Sequence, residues 1–177
     1  MDRSFDLDSA IRKVPDFPKK GILFYDITSV LAQPAAFSYC LDRMDALCSP
    51  KELDCVAAIE SRGFIFAAPF AARHGLPLVL IRKKGKLPGK TLSRSYDLEY
   101  GSAEIEIHET DIPEGARVLI VDDLIATGGT LRASVELVRA AGGSVSGIFG
   151  VIGLPFLKYR DALADVPVTT LIEYDHE

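Results

Sequence analysis

The sequence of 177 residues has no tryptophan, three cysteines, three histidines and two methionines. Cys40, Cys48 and Cys55 are odd in number and no two are spaced as CxxC, which argues against a disulfide framework or a thiolate zinc site and leaves reduced, mostly packed thiols. His74, His108 and His176 make no metal triad: the first precedes Gly75 at a helix end, the second faces out from a half-exposed strand and the third is terminal. No apolar stretch is long enough to span a bilayer, so no membrane partner is expected. Met1 to Asp8 is polar and acidic where a secretory signal would be basic and then apolar, which points to a cytoplasmic protein. Repeats, low-complexity tracts and linkers are also missing. What remains is 48% hydrophobic and 25% charged, far from the signature of disorder, and its length suits one domain over residues 1–177.

The charge is uneven. Residues 82–94 carry Arg82, Lys83, Lys84, Lys86, Lys90 and Arg94 without a single acid; subtracting these six from the net −5 leaves −11 on the rest. Gly85, Pro88 and Gly89 make this stretch a loop, and a cationic island on an acidic protein concentrates an anionic ligand. No aromatic residues interleave the basic ones, and the acidic remainder repels a phosphate backbone, so no nucleic-acid partner is expected.

Apolar spacing gives the architecture. A short helix is predicted around Leu7 to Lys13, broken by Pro15-Asp-Phe-Pro18 because each proline drives its predecessor into extended conformation. From Pro34, the residues Phe37, Cys40, Leu41, Met44, Leu47 and Cys48 form the stripe of an amphipathic helix that ends before Pro50. Val56–Ile59, Leu78–Ile81, Val118–Val121 and Val145–Ile152 are short apolar runs suited to strands buried on both faces. Helical patterns over Phe64–Arg73 and Thr130–Ala141 separate the first pair and the last, and Gly142-Gly143 stops the second helix. Two βαβ units predict an α/β fold with a central, mainly parallel sheet flanked by helices and ligands at the carboxyl ends of the strands. Ala103, Ile105 and Ile107 alternate with Glu104, Glu106 and His108, which predicts a half-exposed strand, antiparallel or at an edge.

The most informative stretch is Arg117-Val-Leu-Ile-Val-Asp-Asp-Leu-Ile-Ala-Thr-Gly-Gly-Thr130. Two adjacent carboxylates end a buried strand, and a turn of small residues opens the next helix. Such a turn lets backbone N–H groups point inward, and the helix start favours a phosphate. Thr127 and Thr130 add hydroxyls, while Asp122 and Asp123 are placed to accept from sugar hydroxyls or to meet a divalent cation through them. A Walker A reading of Gly85-Lys-Leu-Pro-Gly-Lys-Thr91 fails by one residue, since the required first glycine is Lys84, and Leu-Ser-Arg-Ser-Tyr-Asp97 does not start a helix.

The segment VLIVDDLIATGGT resembles the phosphoribosyl pyrophosphate signature of the type I phosphoribosyltransferases. Pro15-Asp-Phe-Pro18 with Gly21-Ile-Leu-Phe-Tyr-Asp-Ile-Thr28, Glu60-Ser-Arg-Gly-Phe64, Arg82-Lys-Lys-Gly-Lys-Leu-Pro-Gly89 and Tyr96-Asp-Leu-Glu-Tyr-Gly101 are similar, in order, to the adenine-specific branch. The resemblance implies the type I phosphoribosyltransferase fold, an N-terminal base-covering segment over residues 1–33, and a flexible catalytic loop. It implies that Ala126, Thr127, Gly128, Gly129 and Thr130 hold a 5-phosphate, that Asp122 and Asp123 contact the ribose hydroxyls, and that Ser61, Arg62 and Gly63 form a pyrophosphate loop whose first peptide is often cis. Arg82, Lys83 and Lys86 then neutralise the departing pyrophosphate together with Mg²⁺, which is carried mainly by the substrate. Lys84, Lys90 and Arg94 contribute only field, and Glu60 is an ion-pair partner or cap.

By the same resemblance Leu23, Phe24 and Tyr25 cover the base, largely through backbone atoms, and Leu154 packs on it. Phe24 either stacks on the purine or belongs to the core. Glu99 is placed near N7 of adenine on a closing loop with Tyr100, and Glu99 and Arg62 are the catalytic candidates. Tyr25 stands where some relatives carry arginine, and Gly153 replaces an expected glutamate. The implied reaction joins adenine to phosphoribosyl pyrophosphate in a homodimer. The alternatives are another purine base (xanthine, hypoxanthine or guanine), since the phosphate loop alone cannot choose, and a non-catalytic phosphoribosyl pyrophosphate sensor.

Overall fold

A computed structural model describes residues 5–97 and 101–175. In chain order the elements are α1 (Leu7–Ala10), β1 (Arg12–Pro15), β2 (Leu23–Asp26), α2 (Thr28–Leu31), α3 (Pro34–Leu47), β3 (Cys55–Ile59), α4 (Gly63–His74), β4 (Leu78–Lys83), β5 (Thr91–Asp97), β6 (Ser102–His108), β7 (Arg117–Ile125), α5 (Gly129–Ala140), β8 (Ser144–Gly153), α6 (Tyr159–Ala162) and β9 (Val168–Glu173).

The main sheet runs β5-β6-β4-β3-β7-β8-β9. The five strands from β4 to β9 in that order are parallel, and β6 and β5 add antiparallel to β4. This is the α/β architecture that the two βαβ units require: β3-α4-β4 and β7-α5-β8. Alternation along β7 divides the core. Leu119 and Val121 face a cluster with α3, α4 and the N-terminal hairpin, while Val118 and Ile120 face the cluster built on α5 and α6. With apolar residues on both faces, β3 is buried throughout and β7 along its middle, as central parallel strands are.

The N-terminal helix is shorter than its spacing suggests. α1 stops at Ala10 and Arg12–Pro15 pairs antiparallel with Leu23–Asp26, because the Arg12 N–H donates to Ser29 Oγ (2.8 Å) and Pro15 keeps Val14 extended. β6 is antiparallel but not at an edge: β5, which the spacing does not announce, pairs along its whole length and takes the edge. Glu106 is also not exposed. It is 2% accessible, covered by the loop between β4 and β5.

Candidate active site

The carboxyl ends of β3 and β7 lie side by side in parallel register, Ala58 opposite Val121. Beyond them opens a cleft of ≈ 340 Å³ whose wall includes Glu60, Ser61, Arg62, Lys83, Tyr96, Asp122, Asp123 and Thr130. A second hollow of ≈ 90 Å³ is formed by residues 124–131 together with Asp122. Asp122, Leu124 and Thr130 line both, so the two spaces share a wall. A larger hollow of ≈ 510 Å³ opens beside the amino end of β7, but its one arginine, Arg117, is tied to Asp54 (Nε–Oδ2 2.9 Å), and it gathers none of the predicted groups.

Two glycines set this geometry. A Cβ on Gly63 would stand 2.6 Å from the Val121 carbonyl oxygen, so only glycine lets the start of α4 press against β7. That approach brings Arg62 to Asp123, Nε to Oδ2 2.7 Å, with Asp123 buried and Arg62 half-exposed. Gly128, just before α5, has φ +85, and a Cβ there would crowd Tyr159 at 3.3 Å. The first turn of α5 then presents N–H groups that have no partner within the helix, beside the exposed Thr127 and the half-buried Ala126, Gly129 and Thr130.

The Glu60–Ser61 peptide is cis, in keeping with the expectation from resemblance. Ser61 is exposed at the cleft. Burial and the neighbouring charge of Asp123 raise the Asp122 carboxyl well above the usual carboxylate range, even though Asp122 Oδ1 accepts from the Asp123 N–H at 2.9 Å. Among the described residues no cluster of three or more His, Cys, Asp or Glu side chains could cage a metal. The donors present are the hard carboxylate oxygens of Asp122 and Asp123, a set that suits a Mg²⁺ ion bound chiefly through substrate oxygens and water.

The cations of residues 82–94 divide into paired and available ones. Arg82 is given to Glu60 (Nη2–Oε1 3.1 Å) and to the Lys86 carbonyl (3.2 Å), and Lys84 to Glu104 (3.0 Å) and Ser93. Arg94 lies 3.8 Å from Glu136. Lys83 lines the cleft, and the charge of Lys86 reaches Glu60, whose carboxyl is held low first by Arg82. Lys90 is exposed. Two groups here escaped the sequence reading. Tyr96 lines the cleft from β5, and Glu106, which the sheet places opposite Arg82, grips the loop from beneath.

On the apolar side, Leu23, Tyr25 and Leu154 meet in one cluster with Leu124 and Ala126. The Tyr25 ring is turned away from solvent and stacks on Tyr174 (centroids 4.0 Å apart), whose hydroxyl donates to Asp8. Phe24 is half-buried and meets the exposed Phe17 edge-on at 5.1 Å, so it is not part of the main core. At Gly153 a Cβ would stand 2.8 Å from the Tyr159 hydroxyl, 3.0 Å from Thr170 Cγ2 and 3.3 Å from Glu173 Cγ, so these three side chains leave no room for one. His74 meets Asp45 at 2.8 Å, and His108 is half-buried. Glu99, Tyr100 and His176 lie outside the described residues.

Residues 43–155 match the family model described as phosphoribosyl transferase domain. Over 171 residues the chain is 63% identical to the adenine phosphoribosyltransferase of Treponema denticola, covering 97% of this chain and 90% of that one. The solved adenine phosphoribosyltransferase of Thermoanaerobacter pseudethanolicus superposes with a TM-score of 0.91 at 47% identity, covering 95% of this chain and 98% of that one. The Saccharomyces cerevisiae enzyme, solved with D-2,5-dideoxy-2,5-imino-altritol 1,6-bisphosphate and adenine, gives 0.88 at 38% identity over 94% and 96%. The cleft and the glycine turn thus lie within a fold and a sequence that match these relatives over nearly their whole length, and the chain belongs to the phosphoribosyltransferase family, in its adenine phosphoribosyltransferase branch.

Proposed function

We propose that the protein transfers the 5-phosphoribosyl group of phosphoribosyl pyrophosphate to adenine, releasing pyrophosphate and forming AMP. The observation that carries this reading is the shared wall: Asp122 and Thr130 border both the small-residue hollow and the cationic cleft. One ligand with a phosphate at each end and hydroxyls between fits that arrangement.

Residues 126–130 receive the 5-phosphate through backbone N–H groups and threonine hydroxyls, and Asp122 and Asp123 accept from the ribose hydroxyls. Ser61, Arg62 and Gly63 with Lys83 and Lys86 take the pyrophosphate, and Arg82 holds that loop in shape. Asp122 and Asp123 would meet Mg²⁺ through the substrate, and the ion, when bound, would supply charge neutralisation at the leaving group. The bond from the anomeric carbon to pyrophosphate oxygen breaks as adenine N9 bonds to that carbon, with inversion. The electron pair of the broken bond leaves on pyrophosphate, where one well-placed donor is worth about 3 kcal/mol by analogy with oxyanion sites. Glu99 assists proton movement at the base, Tyr100 belongs to the closing loop, and Leu23, Phe24, Tyr25 and Leu154 enclose adenine, with residues 1–33 as the covering segment. Because Tyr25 turns inward to Tyr174, its contribution to the base is through backbone atoms.

A homodimer follows from the family alone. The three free thiols suit the reducing cytoplasm, and no described helix is long and apolar enough to cross a membrane. The test is pyrophosphate release from phosphoribosyl pyrophosphate and Mg²⁺ with adenine, hypoxanthine, guanine and xanthine in parallel. Turnover with adenine alone is expected. Turnover with an oxopurine instead overturns the base assignment, and tight substrate binding without turnover points to a sensor.

A further inference from the structure

On strand β6 the side chain of Glu106 is directly opposite Arg82 of β4, and cross-strand partners project to the same face of the sheet. Arg82 and Glu106 both hold one residue, Lys86. Glu106 Oε1 accepts from the Lys86 and Leu87 N–H groups (2.9 Å each), while Arg82 Nη1 donates to the Lys86 carbonyl at 3.2 Å. Glu106 Oε2 accepts from the Thr91 hydroxyl at 3.2 Å, which fixes the far end of the loop. Arg82 is in turn anchored by Glu60, whose Oε2 also accepts from the Lys83 N–H at 3.0 Å. The loop with the available lysines is therefore held at 83, 86, 87 and 91 by two acids and one arginine.

A buried carboxylate 2% accessible costs stability unless its lone pairs are filled, and here the loop fills them. Burial by itself would raise this carboxyl, but the donors of Leu87, Lys86 and Thr91 outweigh it and hold it below its usual range, so it stays ionised.

We infer that Glu106 is a positioning residue for the pyrophosphate half of the site: it clamps the 84–90 loop so that Lys83 and Lys86 stand where the leaving group is neutralised. The inference rests on the reading of these lysines as pyrophosphate ligands. Glu106 touches neither substrate nor reacting atoms and acts through the loop.

The experiment compares wild type, Glu106→Ala and Glu106→Gln for KM of phosphoribosyl pyrophosphate, KM of adenine, kcat, inhibition by pyrophosphate, and melting temperature. Loss of the clamp in Glu106→Ala is expected to raise the KM of phosphoribosyl pyrophosphate and the inhibition constant of pyrophosphate about tenfold, with the adenine KM within about twofold. Glu106→Gln keeps an oxygen for the two N–H groups and should stay within about threefold of wild type. If Glu106→Ala does not fold, Thr91→Val removes one clamp contact and should give the same split at about threefold. Unchanged pyrophosphate-side constants in Glu106→Ala, or in Thr91→Val where that is the variant read, overturn the inference, as does an equal rise in both substrate KM values. Wild-type turnover with adenine is read in the same assay, so failure of the proposed function shows in the wild type and failure of the clamp only in the variants.

Discussion

Loops 126–130 and 84–90 adjoin one cleft, yet they are held in different ways. The first is shaped by its own residues: Gly128 at φ +85, Gly129 opening α5, and the helix start supplying the donors. The second also turns on glycines, Gly85 and Gly89 at φ +82, and on a Lys86 N–H to Lys83 carbonyl bond of 3.2 Å, but it relies on side chains from outside the loop as well. Its backbone is tied down by Glu60, 23 positions from Lys83, and by Glu106, 20 positions from Lys86 and 19 from Leu87. A main-chain cradle suits the phosphate that stays on the product, since its position is fixed by the fold. A side-chain cradle on a clamped loop suits the group that departs, because charge can be gathered there without rigid enclosure.

The largest break in this comparison should come from the glycines. Gly128→Val forces a branched residue into a left-handed conformation against Tyr159, and a displacement near 1 Å at the phosphate costs about 100-fold in kcat/KM. Gly63→Ala, aimed at the Val121 carbonyl, should fall in the same range, about 100-fold, and release the Arg62–Asp123 pair. A steady-state assay at saturating adenine reads both. On the cationic side, Lys83→Ala should weaken pyrophosphate by about tenfold while a melt stays near wild type, because Lys83 is exposed.

The two kinds of acid at the site should also part company. The Asp122 carboxyl is raised by burial and by Asp123, so its contribution to stability is present below the ordinary value of 3.8 and lost as pH rises through the raised one. Burial and Asp123 disfavour the charged form of this carboxyl, and Asp122→Asn, which removes it, should raise Tm while lowering kcat/KM by about tenfold or more. Glu60 and Glu106 are lowered, so their contribution is present above 4.5 and lost as pH falls through their folded values. Protonation of these two acids as pH falls below 4.5 should release the loop and weaken phosphoribosyl pyrophosphate, an effect read as the difference between wild type and Glu106→Gln in a pH profile of the binding step, since Asp122 and the substrate phosphates titrate alike in both. The smallest effect belongs to Asp54→Ala: it breaks the exposed pair with Arg117 at the amino end of β7, opposite the cleft, and activity should not change.

The same contrast explains what the sequence discloses. β3, β7 and α5 are legible because their apolar runs, paired aspartates and glycines are contiguous, and local chemistry there agrees with the fold. β1 is not legible, since four residues become a strand through a contact with Ser29 seventeen positions away. β9 is half-buried at every position and shows no alternation, which leaves no period to read. Glu106 misleads for another reason: it alternates correctly with Ile105 and Ile107, but the face it points to is roofed by a loop rather than by water. Tyr25 stacks on Tyr174 and Gly153 is crowded by Tyr159, Thr170 and Glu173, contacts between residues that are distant or unpatterned in sequence and that the fold alone brings together.

The most direct measurement is calorimetric titration of wild type, Lys83→Ala and Thr127→Ala with AMP and, separately, with pyrophosphate and Mg²⁺. A division between the two loops predicts that Lys83→Ala weakens pyrophosphate alone and Thr127→Ala weakens AMP alone, each by about tenfold. Equal weakening of both ligands by either variant, or the reverse pairing, would contradict it.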